Sequence, residues 1–469
     1  MKSRLRLLFA LRGLLVGLIG VGLFAGAAPG RAASAPGIVL AMRAGFDGYY
    51  KDGRWMPVRI SVANDGPDAR GTLRILAPRN DGNEVVFTRA VELPTQSRRE
   101  IFMYIPAEGF VNNLDVTLND GRNLLAKTNA RLTQAGASDL VYGVLASSPS
   151  SFSGVLGNID PLNGSAFVAQ LEASDLPPAG QAWQGLDSLV VSDVDTGALS
   201  PEQRASLKEW VTNGGQLIVM GGPSWQKTAA GLSDLLPVLP SSTQNLASLE
   251  ALAVFASAPV PDGSAVAAVG TLTPDAVTWV NGSNVPLVVA RRLGLGQVTF
   301  LAVDPAFAPL KGWDGLEGLF RNILAAAPDR PSWAAGLRNW YSARDAVNAL
   351  PGLNLPSTWQ ICGFLGLYIV VIGPLNYLAL KRLRRRELAW VTIPGLVLIF
   401  SAATYLTGYQ LRGAQASLHR LTLVQVWPDS EQARVDQIVG LFSPRRSAYD
   451  LQFAEGFLVR PMPSDGSYG

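Results

Sequence analysis

The 469-residue sequence contains one cysteine, Cys362, and one histidine, His419. A single cysteine excludes a disulfide framework and a zinc site built from cysteines. A single histidine makes most histidine-dependent catalysis difficult to assemble. Charged residues make up only 16% of the chain, against about 25% in an ordinary soluble domain. Because hydrophobic residues make up 48%, the composition excludes a disordered chain and indicates a protein that lies partly in lipid.

The basic residues are scattered along the chain apart from one run between two apolar segments. The net charge is only +3, so the sequence gives no support to nucleic acid as a partner. At one domain per roughly 150 residues, we expect two to four domains.

The N-terminus has the pattern of a secretory signal. Four basic residues precede the apolar run Leu14–Phe24, and Ala25-Gly26-Ala27 matches a small-x-small cleavage site. We therefore predict a signal peptide over residues 1–30, with an uncleaved N-terminal anchor as the alternative. In both cases the chain after residue 30 is exported.

Two later segments are long enough to cross a bilayer. Residues 359–380 and 388–409 carry no charge, and buried core helices rarely run this long without one. The loop 381–387 between them holds five cations, which favour the cytoplasmic side: Lys381, Arg382, Arg384, Arg385 and Arg386. The predicted location is a bacterial cytoplasmic membrane, crossed more than once, with residues 30–358 and 410–469 outside.

Residues 37–135 predict an all-β domain. Apolar and polar residues alternate over Trp55–Val62, and turn residues follow at Asn64–Pro67. Short strands with regular turns favour a β-sandwich. Such a domain could serve for adhesion or docking, or act only as a spacer.

Residues 138–327 have a different pattern. Apolar strand-like runs occur at 140–146, 186–193 and 216–220. Between the last two lies a helix with Ser200 as N-cap and Pro201 at its first position. Strand, helix and strand in this order form a βαβ unit, which predicts a parallel sheet.

The stretch from residue 186 to 222 resembles a class I glutamine-amidotransferase-like domain; it reads LDSLVVSDVDTGALSPEQRASLKEWVTNGGQLIVMGG. The wider arrangement resembles bacterial membrane proteins that carry such a domain outside the cell and have no assigned activity. It includes GFDGYYKDGRWMPVRISVANDG near the N-terminus and the tail STWQICGFLGLYIVVIGPLNYLALKRLRRRELAWVTIPGLVLIFS. The resemblance implies a flavodoxin-like α/β domain after the β-sandwich.

Open parallel sheets bind ligands at the carboxyl ends of their strands. The candidate ligand-binding residues at that edge are Asp193, Asp195, Gly221, Gly222, Ser224 and Asp304. Their carboxylates could bind a cation or a polar ligand. Alternatively, Asp195 and Asp304 cap turns. No cofactor and no resident metal is expected.

An active amidotransferase requires a cysteine nucleophile on a strand-to-helix turn and a histidine base beside it. This sequence has Ser224 near that turn, Cys362 in an apolar segment and His419 beyond both segments. Ser224 and Lys227 share a helix face, but pairs at this spacing are common by chance. We expect no catalytic residues and no enzyme activity.

Residues 328–357 predict a linker, and residues 410–469 predict a short β-rich segment outside the membrane. The turn-rich end suggests a fragment or a shortened relative of the proteins that the chain resembles. The leading hypothesis is a non-catalytic, membrane-anchored envelope protein that binds a ligand or a protein partner outside the lipid bilayer. The alternatives are an auxiliary subunit of a membrane transport or export complex, and a hydrolase that uses the carboxylates at the sheet edge.

Overall fold

A computed structural model of the chain describes residues 37–78, 84–121, 123–328, 345, 347, 357–412, 416–427, 433–443, 447–454 and 456–462. The chain divides into two compact units, Met1–Asp329 with Gly456–Gly469 and Arg330–Glu455. The signal peptide predicted for residues 1–30 lies outside the described residues, as does most of the linker predicted for 328–357.

The N-terminal part of the first unit is β-rich, as the alternating sequence predicts. Its strands are β1 (Ile38–Ala44), β2 (Tyr49–Lys51), β3 (Trp55–Asn64), β4 (Ala69–Pro78), β5 (Glu84–Leu93), β6 (Ser97–Pro106), β7 (Asn113–Asp120), β8 (Asn123–Arg131) and β9 (Thr133–Ala135).

Two antiparallel sheets enclose the core of this part. One has the order β1-β3-β6 and the other has the order β5-β4-β7-β8. Alternate residues of β3, such as Ile60, and of β4, such as Ile75, are fully buried in the same cluster. The period of two in the sequence therefore places one face of each strand in a shared core. Strands β7 and β8 pair antiparallel as a hairpin, and Asp120-Gly121, a dipeptide typical of hairpin turns, lies between them.

A mixed α/β sheet follows. Its strands and the adjacent hairpin are β10 (Leu140–Ala146), β11 (Ala166–Leu171), β12 (Ser188–Ser192), β13 (Gln216–Met220), β14 (Val238–Leu246), β15 (Ala265–Leu272), β16 (Ala276–Asn281), β17 (Pro286–Leu293) and β18 (Gly296–Leu301). Its helices are α1 (Ser150–Leu156), α2 (Pro201–Thr212), α3 (Trp225–Ala229), α4 (Glu250–Ala256) and α5 (Leu316–Ala325).

The seven-stranded sheet has the order β11-β10-β12-β13-β18-β17-β16. The first five strands of this order are mutually parallel, and β17 pairs antiparallel with both of its neighbours. Every residue of β12, β13 and β18 is buried. Burial of both faces explains why these strands are nearly continuous apolar runs in the sequence.

Helix α2 forms as its sequence predicts. The Ser200 hydroxyl accepts from the Gln203 amide, and the Gln203 side chain accepts from the Ser200 amide, which completes a capping box. Trp210 on its buried face stacks on Trp183 with ring centroids 5.3 Å apart. The capped helix thus covers one face of the sheet.

The second unit contains two helices that are long and apolar enough to span a membrane. The first comprises α6 (Thr358–Val370), a π-helical turn at Val371–Leu375 and α7 (Asn376–Arg382), and the second is α8 (Ala389–Arg412). Both helices are strongly apolar, and their central stretches are not buried in the protein. The π-helical turn contains Pro374, which lacks the amide hydrogen that a regular helix requires.

The C-terminal strands are β19 (Ser417–Val426) and β20 (Ala433–Phe442), which pair antiparallel. The alternation over Tyr449–Phe453 also suggests a strand, but the structure assigns none there. Alternation is not sufficient for a strand, because the backbone must also find a neighbouring edge with which to hydrogen bond.

Candidate functional site

The candidate residues lie where the order of the parallel strands reverses. From β10 the chain crosses to β11 on one side, and β12, β13 and β18 follow on the other side. Ser147 comes directly after β10, and Asp193 comes directly after β12. The position between the carboxyl ends of these two strands is where open α/β sheets bind ligands. The fold therefore places Asp193 at the favoured point of the sheet edge.

Asp193 forms contacts on both carboxylate oxygens. Its Oδ1 lies 2.8 Å from the Lys227 Nζ, and its Oδ2 accepts a short hydrogen bond from the Ser147 hydroxyl. Burial alone would raise the pKa of Asp193, but hydrogen bonds from Lys227 and from the hydroxyls of two serines hold it below its ordinary value. Asp193 has a φ of 54°, a left-handed conformation that a non-glycine residue rarely adopts. Asp193 is thus an ionised carboxylate held by its neighbours.

Asp304 follows β18 and is only 3% exposed. Its Oδ2 accepts from the Ser192 hydroxyl at 2.7 Å, and its Oδ1 accepts from the Ala306 amide at 2.8 Å. Burial raises the pKa of Asp304; the two hydrogen bonds oppose this rise, and the nearby charge of Asp193 adds to it. The bond to Ala306 is the turn-capping contact that the sequence offered as an alternative to ligand binding.

The two glycines after β13 allow close packing at this edge. Gly222 has a φ of 69°, and a Cβ there would lie 2.8 Å from the Cβ of Asp304. The amides of Gly221 and Gly222 donate to the carbonyl oxygens of Leu301 and Ala302 at 2.7 and 2.8 Å. Because these N–H groups are already bonded, they do not form an oxyanion hole.

Ser224 and Lys227 lie beside Asp193 but do not form a nucleophile and base. The lysine ammonium is ion-paired with Asp193, and the Ser224 side chain also bonds to that carboxylate. A lysine acts as a base only when desolvation or a nearby cation stabilises its neutral form. Neither condition holds here, because the Lys227 side chain is 48% exposed and its ammonium lies beside a carboxylate.

Asp195 lies outside this cluster. Its Oδ1 accepts from the Gly197 amide at 3.0 Å, so it caps the short 3-10 turn at Thr196–Ala198. Within the described residues, no three histidine, cysteine, aspartate or glutamate side chains lie close enough to hold a metal ion. Asp193 and Asp304 are neighbours, but each carboxylate is used by its own partners.

The sequence did not single out Ser147 or Ser192, and it considered Lys227 only as a possible base. A polar residue at the end of an apolar strand, like Ser192, or directly after one, like Ser147, is the signal that could have found both serines. The site is therefore a bonded polar cluster of Ser147, Ser192, Asp193, Ser224, Lys227 and Asp304. Of these side chains, that of Lys227 is about half exposed to solvent, at 48%.

A second polar cluster joins the β-rich part to the α/β sheet. The Arg43 and Arg59 guanidinium groups lie 2.6 and 3.1 Å from the two carboxylate oxygens of Asp175. Lys51 pairs with Asp187 at 2.5 Å, and Phe46 is buried against Trp183 with ring centroids 6.1 Å apart. Burial raises the pKa of Asp175, and the two arginines oppose this rise. These contacts join residues of the β-rich part to residues of the α/β part within the first unit.

The cysteine and histidine of the chain lie in the second unit, whereas the polar cluster lies in the first. Cys362 is an exposed residue of α6, and His419 lies on β19. Both the nucleophile and the base of an amidotransferase are therefore missing from the α/β sheet.

A family described as a domain of unknown function, DUF8726, matches residues 37–133, which is the β-rich N-terminal part. No curated protein matches the sequence. Among solved structures, a cytoplasmic protein from Salmonella typhimurium aligns over 47% of this chain and 97% of its own, with 14% identity and a TM-score of 0.32. An exo-beta-1,4-mannosidase from Opitutaceae bacterium strain TAV5 aligns over 41% of this chain and 37% of its own, with 15% identity and a TM-score of 0.28. Because these scores are low, we infer neither fold nor function from the two structures.

Proposed function

We propose that the chain is a non-catalytic, membrane-anchored envelope protein that presents its β-rich and α/β domains outside the cytoplasmic membrane. The observation that carries this proposal is the pair of exposed apolar helices with a basic connection between them. An exposed surface of this length and hydropathy is stable in lipid and unstable in water. The basic connection favours the cytoplasmic side, and this supports a topology with the domains on either side of the two helices outside.

The polar cluster at the sheet edge supports a non-catalytic role. A catalytic carboxylate requires access to substrate, and a nucleophile requires a base. Asp193 is neutralised by Lys227, Asp304 is buried, and the amides of the adjacent glycines are bonded to the backbone. We therefore assign this cluster to holding the loops after β10, β12, β13 and β18 together.

We further propose that the α/β domain is a flavodoxin-like, amidotransferase-like sheet that has lost its catalytic residues. When the five parallel strands are numbered in chain order, they lie side by side in the sheet in the order 2-1-3-4-5, which is the order of a flavodoxin-like sheet. The N-terminal sheets then form a β-sandwich fixed to this domain by Arg43, Arg59 and Asp175. Such an assembly presents one rigid surface to a protein partner.

Extraction of membranes with alkaline carbonate tests the anchoring. We expect the full chain to stay in the membrane pellet. The double variant Leu367→Arg, Leu398→Arg should be lost from the pellet, because each charge near the middle of a span costs about 2.5–3.5 kcal/mol. Val254→Arg is the matched control, since Val254 is an exposed apolar residue of the α/β domain. Recovery of the unsubstituted chain in the soluble fraction would contradict the proposal.

A further inference from the structure

The connection between the two apolar helices is a compact turn. The amides of residues 383–385 donate to carbonyl oxygens of the last turn of α7 at 3.0–3.2 Å. Arg384 has a φ of 54°, the left-handed conformation that commonly ends a helix. A 3-10 turn at Arg386–Leu388 then leads into α8. The side chains of residues 381–387 are therefore confined to a small area at the ends of the two helices.

This area carries a concentrated positive charge. It holds five exposed cations and one carboxylate, Glu387, which gives a net charge of +4 over seven residues. Within the part of the chain that the structure describes, none of the five cations pairs with a carboxylate. In the first unit, by contrast, Lys51, Arg59 and Lys227 each have a carboxylate partner. Repulsion among the loop cations is thus not balanced within the described protein.

The flanking apolar helices determine which kind of anion lies near these cations. Each helix is apolar up to the ends of the connection, so insertion of both helices in a bilayer places residues 381–387 at the level of the lipid headgroups. Lysine and arginine at that depth attract anionic lipids over about a Debye length. Arginine also binds phosphate with two parallel hydrogen bonds, and four of the five cations are arginines.

We propose that residues 381–387 form a binding site for anionic phospholipids of the cytoplasmic leaflet. This inference rests on the proposed membrane anchoring and adds the lipid class to it. The guanidinium groups bind the headgroup phosphate, and the net positive charge of the loop favours headgroups that carry no cation of their own, while the acyl chains lie along the apolar helices. Arg386, whose guanidinium carbon lies 5.8 Å from the ring centroid of Tyr377, is positioned by a cation–π contact with the first turn of α7.

The test uses the full chain in nanodiscs that contain equal amounts of phosphatidylglycerol and phosphatidylcholine. Lipids that remain bound after mild detergent release are counted by native mass spectrometry. We expect at least about five times as much bound phosphatidylglycerol as bound phosphatidylcholine. This ratio corresponds to the attraction of a single cation to an anionic lipid surface. The variant with Arg382, Arg384, Arg385 and Arg386 replaced by Gln should lose this preference, and it keeps Lys381 to support orientation.

The matched control replaces four exposed arginines of the first unit with Gln, namely Arg74, Arg99, Arg204 and Arg292. This control should retain the preference for phosphatidylglycerol. Equal retention of both lipids by the unsubstituted protein would overturn the inference, as would an unchanged preference in the loop variant. Full displacement of phosphatidylglycerol by inorganic phosphate would show a general anion site and would also overturn it. Failure of the membrane anchoring itself is detected separately, as recovery in the carbonate-soluble fraction.

Discussion

The ammonium group of Lys227 lies 2.8 Å from the carboxylate of Asp193 at the carboxyl edge of the seven-stranded sheet. Lys227 belongs to α3, which follows β13, whereas Asp193 follows β12. The ion pair therefore joins two neighbouring loops at the position where open parallel α/β sheets bind ligands. Because the lysine occupies the carboxylate, the pair is better suited to hold these loops together than to bind a substrate.

Replacement of Lys227 by Met removes the ion pair with Asp193 and should lower the free energy of unfolding at neutral pH. The effect should be only about 1 kcal/mol, because solvent screens a half-exposed lysine. The folded pKa of Asp193 is lowered, so this stabilisation is present above the unfolded pKa of about 3.9 and is lost as pH falls through the folded pKa. Urea unfolding of the full chain in mild detergent at neutral and acid pH measures the difference.

The control for this prediction is a double-mutant cycle with Asp193→Asn. If the two residues interact as the structure indicates, the double variant should be less destabilised than the sum of the single variants. Strict additivity at neutral pH would contradict the ion pair.

Asp304 should make stability fall as pH rises. The pKa of Asp304 is raised in the folded state. Its contribution to the free energy of unfolding is therefore fully present below the unfolded pKa of about 3.9 and is lost as the pH rises through the folded pKa. Asp304→Asn should remove this part of the pH dependence, since asparagine cannot ionise. Unfolding free energies measured across this range in the two proteins give the comparison.

Comparison of Asp304→Ala with Asp304→Asn separates the effect of the hydrogen bonds of Asp304 from the effect of its ionisation. Asp304→Ala leaves the Ser192 hydroxyl and the Ala306 amide without their partner, which should cost about 1–3 kcal/mol. A pH profile of Asp304→Asn identical to that of the unsubstituted protein would show that Asp304 does not titrate as described.

Gly222→Ala should destabilise the protein by about 1–3 kcal/mol, the usual cost of a strained backbone position. The added Cβ meets the Cβ of Asp304 at 2.8 Å, and the left-handed φ of 69° disfavours any side chain. Gly154→Ala is the control, because Gly154 lies in α1 with open space around its Cβ position. That change should be neutral or stabilising by up to about 1 kcal/mol. Equal effects of the two substitutions in thermal unfolding would contradict the close packing at Gly222.

The sequence predicts the elements of this fold better than it predicts the site. Periodicity, the Ser200 capping box and the charge-free runs depend on local residues, and the structure contains the corresponding strands, helix α2 and apolar helices. The strand Tyr449–Phe453 was predicted from alternation alone and is not formed. Strand formation depends on a neighbouring edge that local sequence does not specify.

The partners of the carboxylates depend on packing between distant segments. The sequence places Asp193, Asp195 and Asp304 after strands, which is correct, but their spacing alone does not show that Asp195 caps a turn while Asp193 pairs with Lys227. Ser192 and Asp304 are 112 residues apart and meet only because the sheet brings their strands to one edge. Long-range contacts of this kind require the strand order, which the sequence pattern leaves open.

Arg59→Met should destabilise the contact between the β-rich part and the α/β sheet by about 1–3 kcal/mol, because the buried Asp175 loses the cation beside its Oδ1 while Arg43 still pairs with its Oδ2. The side chains of Arg59 and Asp175 are 12% and 7% exposed. Arg98→Met is the control, since its pair with Asp65 is exposed and should be worth less than about 1 kcal/mol. Faster hydrogen exchange of the backbone amides in β3 and in residues 172–175 would report the weakened contact. Equal protection in both variants would show that Arg59 does not fix the two parts together.

The most direct test of the membrane-anchored arrangement is cysteine labelling in bacterial spheroplasts. Cys362→Ser removes the only native cysteine, and single cysteines are then introduced at Ser283, Glu387 and Ala416. With the domains outside and the basic connection in the cytoplasm, a membrane-impermeant maleimide should label the Ser283→Cys and Ala416→Cys variants in intact spheroplasts, and should label Glu387→Cys only after permeabilisation. Labelling of Glu387→Cys in intact spheroplasts, or protection of Ser283→Cys, would contradict an external α/β domain and a cytoplasmic basic connection.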